Sequence, residues 1–346
     1  MNYENGVYFL KGVYFTRVNK VEVRNDLPKP QIQADEALIK VKICGICGSD
    51  IGSFLTGALE SQQIILGHEF SGEIVEIGKE NRNLKVGDRV TANPNVPCLE
   101  CNYCREGKEV LCIHNTIGIT HNGALAEFVK IRADRIHKLP DSITFEEGAM
   151  IEPLANAIQA IKVSDFKIGN NAAVFGMGTI GLLTIQALKI AGASNIYAIE
   201  PVESKHKLAL ELGADKAFTP NKWSRITKLT EKIGPDFIFD CVALPETFIT
   251  SLQLVKRGGS IIVIGIHSEP FEMKGILQLM SKNITIKGVF LVDQDSFKTA
   301  LSLLEQKRVN VKAIITKKIK LDQVHEAFNK LSSGLHDDIK IQVKID

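Results

Sequence analysis

The chain has a single tryptophan in 346 residues, aromatics make up only 6% of it, and no run of like charge stands out. A net charge of +2 without a basic block gives a phosphate backbone or an anionic bilayer nothing to hold, so neither nucleic acid nor membrane is an expected partner. Residues 172–188 are uncharged but include three glycines. They fall short of the ~20 apolar residues of a membrane span and read as a strand followed by a helix. Met1-Asn2-Tyr3-Glu4 opens no basic-then-apolar leader, so no signal peptide is expected. Internal repeats and low-complexity stretches are also missing. The length favours two domains over one.

Cysteine is sparse as well, with seven in the chain, yet Cys98, Cys101, Cys104 and Cys112 fall within fifteen residues. Thiolates gathered this tightly form disulfides, hold an iron–sulfur cluster or bind a tetrahedral metal. A bacterial-type ferredoxin run has a short last gap and a following proline; here the gap is seven residues and Ile113 follows. The spacing therefore favours a four-cysteine zinc site, which has no open position and is structural. Cysteines grouped in this way suit a reducing cytoplasm better than a secreted scaffold.

A second constellation surrounds the first in the chain. Cys47 lies in Gly45-Ile46-Cys47-Gly48-Ser49-Asp50, His68 in Gly67-His68-Glu69, and Glu152 in Ile151-Glu152-Pro153. A thiolate, an imidazole and a carboxylate match the ligand count of a catalytic zinc, with one position left for water or substrate. Spacing alone does not bring these three together.

Hydrophobic periodicity divides the chain. Residues 37–43, 71–77, 88–91 and 123–131 alternate or run like strands between turn residues. From about residue 146, short apolar strands at 172–175, 196–199, 236–240, 260–264 and 282–289 alternate with helices, which implies a parallel sheet covered on both faces. Two amphipathic helices, 296–306 and 321–331, precede an alternating strand at 339–345 that could return to the first domain.

Gly176-Met177-Gly178-Thr179-Ile180-Gly181 follows the first of these apolar strands and opens a helix, and Glu200 ends the next strand. In that context the glycines form a dinucleotide fingerprint, with a diphosphate approached closely at a helix N-terminus. Glu200 can accept from both ribose hydroxyls and repels a 2′-phosphate, so NAD is favoured over NADP; Lys205 is the residue that argues the other way.

With both ligand sets and the fingerprint in view, the chain resembles the zinc-dependent medium-chain dehydrogenase family over its whole length and in family order. Gly72, closing the run that begins at Gly67, and Asn156, closing the run that begins at Ile151, complete the matched motifs. Glutamate rather than cysteine in the third-ligand region resembles the polyol branch (sorbitol and galactitol-phosphate dehydrogenases). The resemblance implies an α/β fold: a GroES-like β-rich catalytic domain from residues 1–155 and 291–346, and a Rossmann doubly wound parallel sheet from 156–290.

By position, the resemblance maps Cys47, His68 and Glu152 to a catalytic zinc, with Glu69 as the competing carboxylate, and Ser49 to the proton-relaying hydroxyl. It maps Gly176, Gly178, Thr179, Ile180, Gly181, Glu200 and Lys205 to NAD, Ile266 and Phe290 to the nicotinamide end, and Cys98, Cys101, Cys104 and Cys112 to a structural zinc. The implied reaction moves a hydride from a secondary hydroxyl carbon of a polyol, phosphorylated or not, to NAD, giving a ketose. An amino alcohol such as L-threonine is the alternative substrate, and a non-catalytic zinc-stabilised binding protein the alternative of another class. A homo-oligomer, dimer or tetramer, is implied as well. Two departures stand out. Gly52 occupies the place where many relatives continue the proton relay with histidine, and Leu291 stands where sorbitol-type enzymes have arginine.

Overall fold

The computed structural model describes residues 2–4, 7–57, 63–81, 83–112, 116–334 and 336–345. Alternation over Glu36–Gly45 and Glu69–Ile77 becomes an antiparallel pair that sets Ile39 against Ile74 and Gly45 against Glu69. The pair is central to a sheet ordered Ile315–Lys320, Lys340–Lys344, Glu36–Gly45, Glu69–Ile77, Arg89–Ala92 and Ile136–Lys138, with Phe128–Arg132 also paired to Glu36–Gly45. The C-terminal strand thus returns to the first sheet, placing Gln342 opposite Gly45. Ile39, Val41, Ile74 and Val343 fill the core beneath.

Periodicity does not anticipate the hairpin of Val7–Arg17 and Lys20–Pro28. Its two-residue connection has no Asn-Gly signature; Asn19 alone takes a left-handed φ of 58°, which asparagine tolerates.

Beyond residue 146 the second period produces a six-stranded parallel sheet. Its order is Lys216–Phe218, Asn195–Ile199, Asn171–Phe175, Phe237–Asp240, Ser260–Val263, Thr285–Gly288. The order reverses beside Asn171–Phe175, which makes the sheet doubly wound and puts a ligand crevice at the carboxyl ends of its strands. Val174 and Phe239 of the sheet pack with Leu182 of the helix Thr179–Ile190. Phe297, Ala300 and Leu304, on the helix Gln294–Glu305, join the same cluster. That helix falls in the segment 291–346 expected on the β-rich side, but its apolar face packs on the helix Ile151–Val163, in the cluster that also holds the parallel sheet. Among the described residues no helix is long and apolar enough to cross a membrane.

The helix Thr179–Ile190 can start where it does because Gly181 has no side chain: a Cβ there would stand 1.7 Å from the carbonyl oxygen of Gly176. Gly181→Ala is expected to lower stability by about 1–3 kcal/mol through overpacking. Chemical denaturation of purified variant and parent tests this, and equal midpoints would refute it.

Candidate active site

Register builds this site. Gly45 faces Glu69 on one neighbouring strand and Gln342 on the other, so three strands meet at that point. Cys47 follows two residues later, His68 immediately precedes Glu69, and Lys340 opens the third strand. A Cβ on Gly45 would lie 2.1 Å from Glu69 Oε2, so only glycine leaves room for the carboxylate.

Cys47 is the N-cap of the helix Gly48–Thr56. Its Sγ accepts from the Ser49 N–H at 3.5 Å, and its own N–H donates to Asp50 Oδ2 at 2.8 Å. The cap thereby fixes both the thiol and the buried Asp50. Asp50 Oδ1 lies 3.8 Å from His68 Nδ1, and neither atom has another partner. The opposite ring nitrogen, Nε2, stands 3.5 Å from Ser49 Oγ. One ligand atom each from Cys47, His68 and Glu69 lie within 4.8 Å of one another. Glu152 lines the same cavity outside that set, and Asn156 Nδ2 donates to its Oε1 at 2.8 Å. Of the two candidate carboxylates, Glu69 is the one brought to the thiol and imidazole.

Charge fits a cation here. Burial alone would lower the pKa of His68, but Cys47 and Asp50 outweigh it and hold the pKa well above the ordinary value. A soft, an intermediate and a hard donor converging on an open cavity suit zinc.

Glu69 does not stand alone. Lys340 Nζ donates to Glu69 Oε1 at 2.8 Å, to Oε2 at 2.6 Å and to the Ile46 carbonyl at 2.9 Å. Side-chain exposure is 2% for the lysine and 1% for the glutamate. Asp50, Asn156 and Lys340 are the site residues that sequence reasoning missed. Lys340 had a misleading signal: it alternates with Ile339 and Ile341, which reads as a solvent face.

The cysteine lobe is assembled in the same way. Sulfur separations are 3.5 Å (Cys101–Cys104), 3.6 Å (Cys98–Cys112) and 4.0 Å (Cys98–Cys104). A tetrahedral site with ~2.3 Å zinc–sulfur bonds has edges of about 3.8 Å, and a disulfide needs about 2.05 Å. Backbone N–H groups of Glu100 and Cys101 pull the Cys98 thiol down to about 6, which favours the thiolate a metal needs.

Gly178, Thr179, Ile180 and Gly181 line a crevice of about 290 Å³ opposite Cys47 and Lys340. Gly176, two residues before this run, takes a left-handed φ of 84°. A second cavity, which includes the Cys47, His68 and Glu69 set, is walled by Ile266, Phe290 and Leu291. The two cavities share Cys47, Glu69 and Ile180, so the expected dinucleotide and metal regions adjoin. Glu200 is buried, and its oxygens accept from the N–H of Met177 at 2.6 Å and of Val202 at 3.0 Å; each keeps lone-pair capacity for a hydroxyl. Lys205 sits half-buried at the start of the helix Ser204–Glu211. The unanticipated His206 places Nε2 2.7 Å from the Glu200 carbonyl.

Comparison with known proteins gives this geometry a context. Residues 33–141 match the alcohol dehydrogenase GroES-like domain and residues 179–306 the zinc-binding dehydrogenase domain. The chain is 32% identical to a sorbitol dehydrogenase of Bombyx mori, with 99% of each chain covered. It belongs to the zinc-binding alcohol dehydrogenase family. A Bacillus subtilis (R,R)-butanediol dehydrogenase is 34% identical over 94% of this chain and 96% of that one. A protein from Sinorhizobium meliloti, named as a zinc-binding dehydrogenase and solved with NADP, superposes with a TM-score of 0.89 at 28% identity, covering 97% and 99% of the two chains. As a member of the family the protein is an alcohol or polyol dehydrogenase, and the reading as a non-catalytic binding module is set aside.

Two outcomes follow for this family member. Lys340→Met leaves Glu69 buried without its counter-charge and should destabilise the metal-free protein by roughly 3–5 kcal/mol. Denaturant unfolding measures this, and a loss under about 1 kcal/mol would show that Glu69 finds another partner. Burial raises Glu152 from 4.5 to about 7, with His68 and Asn156 opposing and Glu69 adding to the rise. The folded metal-free protein therefore keeps a proton that the unfolded chain releases, and its stability should fall as pH rises from about 4.5 to 7. Glu152→Gln should flatten that slope in chelator-treated protein; an unchanged slope would assign it to other groups.

Proposed function

We propose that this dehydrogenase oxidises a secondary hydroxyl of a polyol or diol to a ketone, with NAD as hydride acceptor, and that it holds one catalytic and one structural zinc. The observation that carries the reading is the convergence of Cys47, His68 and Glu69 on a cavity adjoining the glycine crevice through Ile180. A zinc held there supplies Lewis acidity that lowers the pKa of an alcohol. The chain's own groups do the rest. Asp50 orients the ring of His68, and the N–H groups at the helix start fix the Cys47 sulfur. Ser49 Oγ takes the hydroxyl proton, and the open space beside Gly52 gives that proton a route through water. Glu152, held near neutrality, faces a neighbouring hydroxyl of the substrate.

Support for a polyol or diol comes from relatives whose names specify a hexitol and a butanediol. Glu200, buried at the end of its strand, supports NAD over NADP by repelling a 2′-phosphate; the NADP-bound structure from S. meliloti keeps the second reading in play. The reduced thiols fit a cytoplasmic protein.

We also assign a homodimer. The strand Thr285–Gly288 ends its sheet, and the preceding helix Ile276–Ser281 leaves Leu277 75% and Met280 69% exposed. An open edge beside exposed apolar residues suits a second copy. Leu277→Glu with Met280→Glu should shift sedimentation toward the monomer, and an unchanged coefficient would place the interface elsewhere.

The deciding experiment is initial-rate NADH formation by metal-quantified protein with sugar alcohols, phosphorylated polyols, diols, L-threonine and simple alcohols. Turnover of a polyol or diol with two zincs per chain is expected. Confinement of activity to L-threonine would make the amino-alcohol reading correct.

A further inference from the structure

A third cavity, of about 450 Å³, shares no lining residue with the glycine crevice or with the cavity of Cys47 and His68. Its size is in the range of small-molecule sites. Buried Ile65, Ile117, Phe128 and Ile131 give it an apolar floor. Lys29, Glu36 and Lys130 supply its formal charges.

Those charges do not balance. Glu36 Oε2 accepts from Lys130 Nζ at 3.1 Å and from the Gln33 N–H at 2.8 Å, so this carboxylate and Lys130 are paired with each other. Lys29 forms no ion pair among the described residues. Its ammonium stands 5.2 Å from the centroid of the Phe128 ring, a cation–π contact. Pro28 and Pro30 flank it, and its N–H donates to the Tyr8 carbonyl at 2.9 Å. The backbone that carries this charge is therefore set before a ligand arrives. The lining holds one positive charge in excess, directly beside buried hydrocarbon.

One loop separates this cavity from the reaction cavity. Thr116 and Ile119 line the reaction cavity, while Ile117, Asn122 and Gly123 line the third. The loop rests on the backbone that leads into His68. A Cβ on Gly118 or Gly123 would lie 2.4 or 2.3 Å from the Gly67 carbonyl oxygen, and Asn122 Oδ1 accepts from the Ile65 N–H at 3.0 Å. The N–H groups of Gly123, Ala124 and Leu125 donate to the carbonyls of Ile65, Gly67 and Leu66 at 2.7, 2.8 and 2.8 Å. We infer that the third cavity is an effector site for a small amphipathic carboxylic acid. The carboxylate pairs with Lys29 Nζ, and the hydrocarbon lies along Ile65, Ile117 and Phe128. Such a ligand holds the loop against Gly67 and so acts on a wall of the reaction cavity without entering it.

Isothermal titration calorimetry of the zinc-replete protein with octanoate, octanamide and acetate tests the site without requiring a known alcohol substrate. Octanoate should bind once per chain, at least about tenfold more tightly than either other probe, because octanamide lacks the charge and acetate the hydrocarbon. Lys29→Gln removes a half-buried ammonium that holds no ion pair, so the variant should fold like the parent. It should weaken octanoate by about tenfold or more and leave octanamide unchanged. Bound octanoate should also slow hydrogen exchange at the amides of Gly123, Ala124 and Leu125. Absence of saturable octanoate binding overturns the inference. Equal octanoate affinity in parent and variant, or protection confined to residues around Glu152 and Phe290, places the acid elsewhere and overturns it as well. Binding that depends on Lys29 but leaves those three amides unchanged upholds the site and overturns its action on the loop.

Discussion

The ion pair between Glu69 and Lys340 is the constraint on which the site depends. A carboxylate and an ammonium are each costly to remove from water, and only mutual pairing with full hydrogen bonding makes the burial tolerable. Here the ammonium uses all three protons, two on Glu69 and one on the Ile46 carbonyl. The C-terminal strand is thereby bound to the segment that carries Cys47 and to the strand that follows His68. The register that sets Gly45 between Glu69 and Gln342 and this buried charge pair hold the three segments together at one point.

Around that pair the two halves of the chain divide the chemistry. Strand ends and a helix N-cap beside the antiparallel sheet carry thiol, imidazole and carboxylate: the thiol accepts from a backbone N–H, the imidazole meets Ser49 and the carboxylate accepts from Lys340. The parallel sheet contributes the glycine turn and the wall formed by Ile264, Ile266 and Phe290. Ile180, one residue into the helix that follows the glycine turn, lines both cavities, so the crevice at the glycine turn adjoins the cavity of Cys47 and His68. The cysteine lobe adds rigidity at a distance. Buried Arg135 bridges Glu109 within the lobe at 2.8 Å and Asp134 at 2.8 Å, while Gln294 Nε2 donates to the Asp134 carbonyl at 2.9 Å. The lobe is in this way tied to the segment that begins the helix Gln294–Glu305.

Much of this was legible beforehand, for identifiable reasons. Strands such as Asn171–Phe175 and Asn195–Ile199 are short apolar runs bounded by turn residues, and their parallel pairing follows from the helices between them. The four cysteines are close in sequence, so their convergence needs only a curled loop. Other features escaped because their cause is not local. Lys340 and Gln342 alternate with isoleucine and valine as an exposed strand would, yet both are buried because the helix Phe145–Gly148 and Glu69 cover that face; Gln342 Nε2 donates to the Glu146 carbonyl at 2.8 Å. The helix Gln294–Glu305 looked like part of the returning domain because it follows the last parallel strand, but its apolar stripe complements the helix Ile151–Val163. Glu200 was expected to face a ribose, and its oxygens are also engaged by the turn itself.

By itself the sequence determined which side chains are capable of holding metal, which glycines suit a close-approaching diphosphate, and that antiparallel strands precede a parallel α/β sheet, because periodicity, glycine placement and ligand type are local properties. Only the tertiary structure decided which glutamate joins Cys47 and His68 and which lysine neutralises it. Those outcomes depend on strand register and on how two sheets meet across the cleft, and both arise from contacts between residues far apart in the chain.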